Sequence, residues 1–111
     1  MRDDREFLDD ILERIHLTYE FVQDGRDTFI SSRVTQEAVI RNLEIIGEAA
    51  RHISEELRTQ HPEVPWREII AFRNFVTHAY WGIKVERVWQ IIESDLPPLQ
   101  VQVESILDDF D

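Results

Sequence analysis

Hydrophobic residues recur along this chain at spacings of three and four, which is the period of an amphipathic α-helix. Few glycines and few β-branched runs favour the same structure. The pattern predicts an all-α, antiparallel helical bundle with four main helices and a short C-terminal helix. We assign the whole chain, residues 1–111, to one domain, which is enough for one core. The predicted helices cover about residues 3–23, 33–57, 65–81, 84–93 and 98–109.

Local signals set the expected ends of these helices. Either residue of the Ser31–Ser32 pair can cap the second helix. The glycine at 47 falls inside that helix, where it costs about 1 kcal/mol relative to alanine, and so predicts a close helix crossing. Pro65 fits the first turn of the third helix. Pro97 and Pro98 are expected to interrupt the helical pattern, because a residue before proline avoids the α region.

The net charge of −11 argues at first against a nucleic-acid partner. Its distribution changes that interpretation, because residues 1–25 carry −5, residues 88–111 carry −6, and residues 26–87 balance to zero. The acidic ends are typical of a solubilising surface, and they would also suit a basic protein partner.

Composition excludes several classes of protein and site. The chain has no cysteine, so it has neither a disulfide framework nor a thiolate metal site. No apolar run is long enough to span a bilayer and the first residues do not form a signal peptide, so we expect a cytoplasmic protein. His52, Glu55, Glu56 and His61 lack the spacing of a metal-binding helix. No metal or other cofactor is predicted.

The most informative stretch, residues 71–80, reads Arg73-Asn74-x-x-x-His78-x-Tyr80. Burying an arginine and a histidine is costly unless they are paired or solvated, so this pattern in an apolar helix needs a reason. Taken alone, an Arg-x4-His pattern is more often an ion pair beside a partly buried histidine, and a tyrosine is most often an interface aromatic.

The helical period places these side chains on different faces. Phe72 faces the core, Arg73 and Tyr80 lie on a flank, and Asn74 and His78 form a separate stripe. Two apolar residues, Ile70 and Trp81, point away from the core. A helix that is apolar on two sides suggests a homodimer about a twofold axis, which would bring two copies of the motif together. In the alternative, Trp81 covers a neighbouring helix of the same chain.

These residue types suit cleavage of RNA by its own 2′-hydroxyl without a metal. Histidine titrates near neutrality and can act as general base or acid. Arginine supplies a permanent charge and a planar fork for phosphate oxygens. Asparagine can orient the histidine or a phosphate oxygen.

The motif and its flanking segments resemble the HEPN superfamily, and specifically its HepT-like toxins. The resemblance covers about residues 3–93. It rests on residues 38–49 and 64–74 and on His78, Ala79, Tyr80, Gly82, Val88 and Trp89.

The resemblance implies a dimeric ribonuclease that acts as the toxin of a type VII toxin–antitoxin pair. It implies that Arg73 and His78 are catalytic and that Asn74 supports them. The implied partner is an MntA-like minimal nucleotidyltransferase, the antitoxin, which would attach AMP to Tyr80. Two alternatives remain open: a non-catalytic helical module that binds the nucleotidyltransferase or a nucleotide, and a structural dimerisation domain.

Overall fold

All regular structure is helical in residues 2–75 and 84–110, which are the residues that this computed structural model describes. The all-α prediction is therefore confirmed. A 3-10 turn at Phe72–Asn74 follows the helix that ends at Ala71, and a π-helical turn at Ile91–Asp95 precedes the helix that begins at Leu96. The α-helices are α1 (Asp4–Phe21), α2 (Arg26–Ser31), α3 (Arg33–His52), α4 (Glu55–Gln60), α5 (Trp66–Ala71), α6 (Val85–Gln90) and α7 (Leu96–Asp108).

The two long helices α1 and α3 pack against each other and form the centre of the bundle. They run antiparallel, since Phe7 stacks on His52 and Arg14 donates to the buried Asn42 at 3.3 Å. α7 covers α1, and α5 with its 3-10 turn covers α3. The predicted apolar stripes form the core, including Leu8, Ile11 and Ile15 of α1, Val39, Leu43, Ile46 and Ala50 of α3, and Leu99, Val103 and Ile106 of α7.

The second predicted helix starts as expected, because the Ser32 hydroxyl accepts from the Thr35 N–H at 3.2 Å. Its predicted end near residue 57 is wrong. α3 ends at His52, Ile53 is extended, and Ser54 caps α4. The Asp4 carboxylate accepts hydrogen bonds from the N–H and the hydroxyl of Ser54 at 2.8 and 2.6 Å. This contact from the start of α1 stabilises a break that the hydrophobic pattern does not reveal.

The short helix α2 was not predicted, because six residues are too few to show a period. It begins after Gly25, whose φ of 95° few other residues adopt. The Gln36 side chain donates to the carbonyls of Phe29 and Ile30 at 3.0 and 2.9 Å. These bonds and the burial of Phe29 hold α2 against the start of α3.

The predicted interruption at Pro97 and Pro98 is also wrong. The chain is helical without a break from Val85 to Asp108. The prolines lie in the first turn of α7, directly after the π-helical turn. A missing N–H is tolerated at the start of a helix, and the wider π turn changes the hydrogen-bonding register just before it.

The predicted close crossing at Gly47 is confirmed. A Cβ atom at this position would lie 2.6 Å from the backbone nitrogen of Arg73 and 2.9 Å from the Ile70 carbonyl oxygen. Only a residue without a side chain lets α3 approach the end of α5 so closely. The crossing therefore fixes the backbone at which the Arg-x4-His motif begins.

None of the helices in the described part of the chain is long and apolar enough to cross a membrane.

Candidate functional site

The first half of the motif, Arg73 and Asn74, lies in the 3-10 turn after α5, and the apolar face of α5 sets its position. Trp66, Ile69 and Phe72 are buried, as the helical period predicted for Ile69 and Phe72. The Trp66 indole also donates to the His61 carbonyl at 2.9 Å, which ties the start of α5 to the preceding loop. With this face against the core, Arg73 and Asn74 are left on the surface.

Arg73 lies in the 3-10 turn, and its side chain is 43% exposed. Its Nη1 atom is 3.7 Å from Oε2 of Glu48 on α3. That separation exceeds the range of a hydrogen bond, so the pair is an electrostatic contact. Among residues 2–75 and 84–110, no hydrogen bond occupies the N–H groups of the guanidinium, which suits them to an incoming phosphate.

Glu48 is surrounded by three basic side chains. Its Oε1 atom accepts from Nη2 of Arg51 at 2.6 Å and lies 3.2 Å from Nε2 of His52, while Oε2 faces Arg73. The hydrogen bond from Arg51 is the main reason why the pKa of Glu48 is lowered, and the His52 contact acts in the same direction. Glu48 is thus a carboxylate at neutral pH.

The sequence analysis missed Glu48 as a neighbour of the motif. It lies far from Arg73 along the chain and matches no short motif. The one available signal was the glycine next to it, because the close crossing at Gly47 brings its neighbour against the end of α5.

A shallow groove of about 370 Å³ runs between α1 and α3 on the Glu48 side. The His52 ring stacks on Phe7 with centroids 5.3 Å apart, and the Arg2 guanidinium lies 4.7 Å from the centre of the Phe7 ring. The groove contains charges of both signs, since it is lined by Arg2, Phe7, Asp10, Arg41, Glu44, Ile45, Glu48, Ala49 and His52.

His78 and Tyr80 lie outside the described residues, so the arrangement of Arg73 relative to His78 stays a prediction. Trp81, one of the two residues behind the homodimer prediction, lies outside them as well. The other, Ile70, is half-buried and packs against the core of its own chain. Ile70 alone therefore does not require a second subunit.

The histidines weighed as metal ligands have separate partners. His52 contacts Glu48, whereas Nδ1 of His61 lies 3.2 Å from Oε2 of Glu63. Within residues 2–75 and 84–110, no three His, Asp or Glu side chains are grouped so as to hold a metal ion.

A larger cleft of about 660 Å³ lies between α5 and the junction of the π turn with α7. Among its described lining residues, Glu63, Glu68 and Asp95 outweigh Arg87, so it would repel a phosphate backbone. Arg73 does not line it. Size alone therefore does not make this cleft a candidate RNA site.

The family described as "Ribonuclease HepT-like" matches residues 11–106 of this chain. A putative RNase of Methanocaldococcus jannaschii is 42% identical over 106 residues, which are 95% of this chain and 97% of that protein. A probable ribonuclease HepT of Thermococcus cleftensis is 40% identical over 95% of this chain and 96% of its own length. A putative RNase of Caldanaerobacter subterraneus is 35% identical over 96% of both chains.

No solved structure matches this chain. The family match and the relatives that cover nearly the whole sequence point to the same family. They confirm the resemblance that was drawn from residues 38–49, from residues 64–74 and from the His78–Tyr80 positions. The chain therefore belongs to the HepT-like ribonuclease family, and ribonuclease is the enzyme class that this membership assigns to it.

Proposed function

We propose that this protein is a homodimeric, metal-independent endoribonuclease that uses Arg73 and His78 for catalysis and Asn74 in support. The observation that carries the proposal is the placement of Arg73. Its backbone is fixed by the crossing at Gly47, while its guanidinium is close to half exposed and only loosely paired. A permanent cation held on a rigid turn within reach of substrate is what phosphate recognition needs.

In the proposed reaction, the 2′-hydroxyl of RNA attacks the adjacent phosphorus and displaces the 5′-oxygen of the next nucleotide. His78 takes the hydroxyl proton or protonates the leaving oxygen, and in a dimer two copies supply both functions. Arg73 stabilises the negative charge that develops on the phosphorane oxygens. Asn74, which is exposed beside Arg73, orients the imidazole or a phosphate oxygen.

The local charge around Arg73 supports RNA binding in spite of the acidic ends of the chain. Arg51, His52 and Arg73 share the one carboxylate of Glu48, so this cluster is positive although the whole protein is not. Favourable local charge of this kind attracts the phosphate backbone.

We further propose that the enzyme is the toxin of a toxin–antitoxin pair and that an MntA-like nucleotidyltransferase neutralises it. Attachment of AMP to the Tyr80 hydroxyl, with release of pyrophosphate from ATP, adds a negative phosphate and a nucleoside two residues from His78. The added charge would repel RNA, and the added bulk would obstruct the site.

Inducible expression tests the proposed activity. Wild-type protein should arrest growth and degrade cellular RNA, whereas His78→Ala should do neither, because the general acid–base group is missing. Growth curves and the size distribution of total RNA are the measurements.

The matched control for this experiment is His16→Ala, since His16 is an exposed histidine of α1 away from the motif. This variant should be as toxic as wild type. Equal toxicity of His78→Ala and wild type would remove the nuclease proposal and favour the non-catalytic module that binds the nucleotidyltransferase.

The modification is tested by incubation of the protein with the nucleotidyltransferase and ATP, followed by intact-mass spectrometry. Wild type should gain the mass of AMP, and Tyr80→Phe should not, because it lacks the acceptor oxygen. Tyr19→Phe is the control, since Tyr19 is the other tyrosine of the chain. Modification of Tyr80→Phe at the wild-type rate would contradict the assignment of the acceptor.

A further inference from the structure

We propose that Glu48 is a positioning residue that orients the Arg73 guanidinium for the transition state of RNA cleavage. The inference rests on the proposed function, in which Arg73 is catalytic. It extends the site from the motif helix to α3, which contributes no residue to the Arg-x4-His pattern.

The backbone around Arg73 is fixed by the residue next to Glu48. Gly47 brings α3 so close that even a methyl group would clash with the Arg73 nitrogen and the Ile70 carbonyl. Position 48 is therefore held at a constant distance from the turn that carries Arg73, and a side chain at this position can restrict the guanidinium.

The Glu48 carboxylate is itself held by other residues. One oxygen, Oε1, is engaged by Arg51 at 2.6 Å and by His52 at 3.2 Å, and the His52 ring stacks on Phe7 of α1. The second oxygen, Oε2, is the atom that faces Arg73. Oε1 therefore holds the carboxylate in place, and Oε2 restricts the orientation of the Arg73 guanidinium.

The 3.7 Å separation between Arg73 Nη1 and Glu48 Oε2 suits a positioning role better than a permanent ion pair. A tight bidentate pair would occupy the N–H groups that a phosphate needs, whereas a loose contact orients the guanidinium and leaves them free. A carboxylate beside the phosphate site also repels bound RNA. Glu48 should therefore raise kcat while weakening substrate binding.

This opposition gives a specific kinetic prediction for Glu48→Gln, which keeps the size of the side chain and removes its charge. With a defined oligoribonucleotide, kcat should fall by roughly 10- to 100-fold through misorientation of Arg73. KM should decrease, because a negative charge near the phosphate has been lost. If Glu48 had a purely structural role, Glu48→Gln would lower the fraction of active enzyme and leave KM at the wild-type value. The loss would also be independent of whether Arg73 is present.

The matched control is Glu44→Gln. Glu44 lies one turn earlier on α3 and pairs with Arg41 at 2.9 Å, as Glu48 pairs with Arg51. Within the part of the chain that the structure describes, Arg73 forms an ion pair with Glu48 and not with Glu44. Glu44→Gln should keep the wild-type kcat. An equal loss in both variants, or none in Glu48→Gln, would overturn the proposal.

A double-mutant cycle distinguishes the orientation of Arg73 by Glu48 from a structural defect that does not act through Arg73. In an Arg73→Ala background, Glu48→Gln should cause no further loss of kcat, because the group it orients is gone. A full additional loss would overturn the positioning role. If wild type fails to cleave RNA, or Arg73→Ala cleaves normally, the proposed function and this inference fail together. A dead Arg73→Ala beside a fully active Glu48→Gln overturns the inference alone.

Discussion

Arg73→Ala should reduce the rate of RNA cleavage by roughly 100- to 1,000-fold, the loss typical of removing one group that stabilises transition-state charge. Its stability should change little, because the Arg73 side chain is 43% exposed and its Glu48 contact is 3.7 Å long. We expect the melting temperature to remain near the wild-type value. The measurements are single-turnover cleavage of a labelled oligoribonucleotide and thermal unfolding of the same sample.

Arg73→Lys should be intermediate, because lysine keeps the charge but lacks the planar fork that contacts two phosphate oxygens. Arg67→Ala is the control. Arg67 is an exposed arginine of α5, the helix that directly precedes the turn carrying Arg73, so this variant removes an equal charge near the motif. It should change the salt dependence of binding and leave kcat near wild type. Comparable losses of kcat in Arg67→Ala and Arg73→Ala would show that only general charge matters, and the catalytic role would be withdrawn.

Gly47→Ala should destabilise the fold although alanine favours a helix by about 1 kcal/mol over glycine. The new methyl group would meet backbone atoms of Ile69, Ile70 and Arg73 at 2.6–3.0 Å, and backbone cannot move aside as a flexible side chain can. Because the clash is with backbone, overpacking should cost about 3 kcal/mol, the upper end of the typical range, which leaves a net loss of about 2 kcal/mol after the gain in helix propensity. The melting temperature should then fall by on the order of 10 °C.

The control for this substitution is Val34→Ala. Val34 lies on α3 and is 80% exposed, so its replacement raises helix propensity without touching another helix. Its melting temperature should stay the same or rise slightly. A rise in Gly47→Ala as well would mean that propensity outweighs the crossing, and the close approach of α3 to Arg73 would be contradicted. Surviving folded Gly47→Ala protein should also cleave RNA more slowly, because the backbone of Arg73 is displaced.

The enzyme class, ribonuclease, was predicted correctly from the sequence. The Arg-x4-His-x-Tyr pattern with its flanking segments led to the HepT-like family, and that membership is confirmed. The helical period correctly placed Phe72 in the core, and it placed Arg73 on a flank, where the structure shows it exposed. The roles of Arg73, Asn74, His78 and Tyr80 stay predictions, as do the homodimer and the antitoxin.

The sequence by itself determined that the fold is helical and that the regular apolar stripes enter the core. Val39, Leu43, Ile46, Ala50, Ile53 and Leu57 are all buried although the helix that carries the first four ends at His52. A hydrophobic pattern predicts which residues are buried. Those residues stay buried even where the helix breaks between two of them, as it does after His52. The spacing of apolar residues is a local property of the sequence, so it identifies the buried face without knowledge of the partner helices.

Only the tertiary structure decided where helices break and which distant groups meet. The break after His52 is stabilised by Asp4, which accepts hydrogen bonds from Ser54, fifty positions away in the chain. The continuous helix across Pro97 depends on a π turn that precedes it. The contact of Glu48 with Arg73 depends on a crossing at Gly47. The first and third cases are contacts between groups far apart in the chain, and the second is a local change of hydrogen-bonding register. Apolar periodicity contains no information about either.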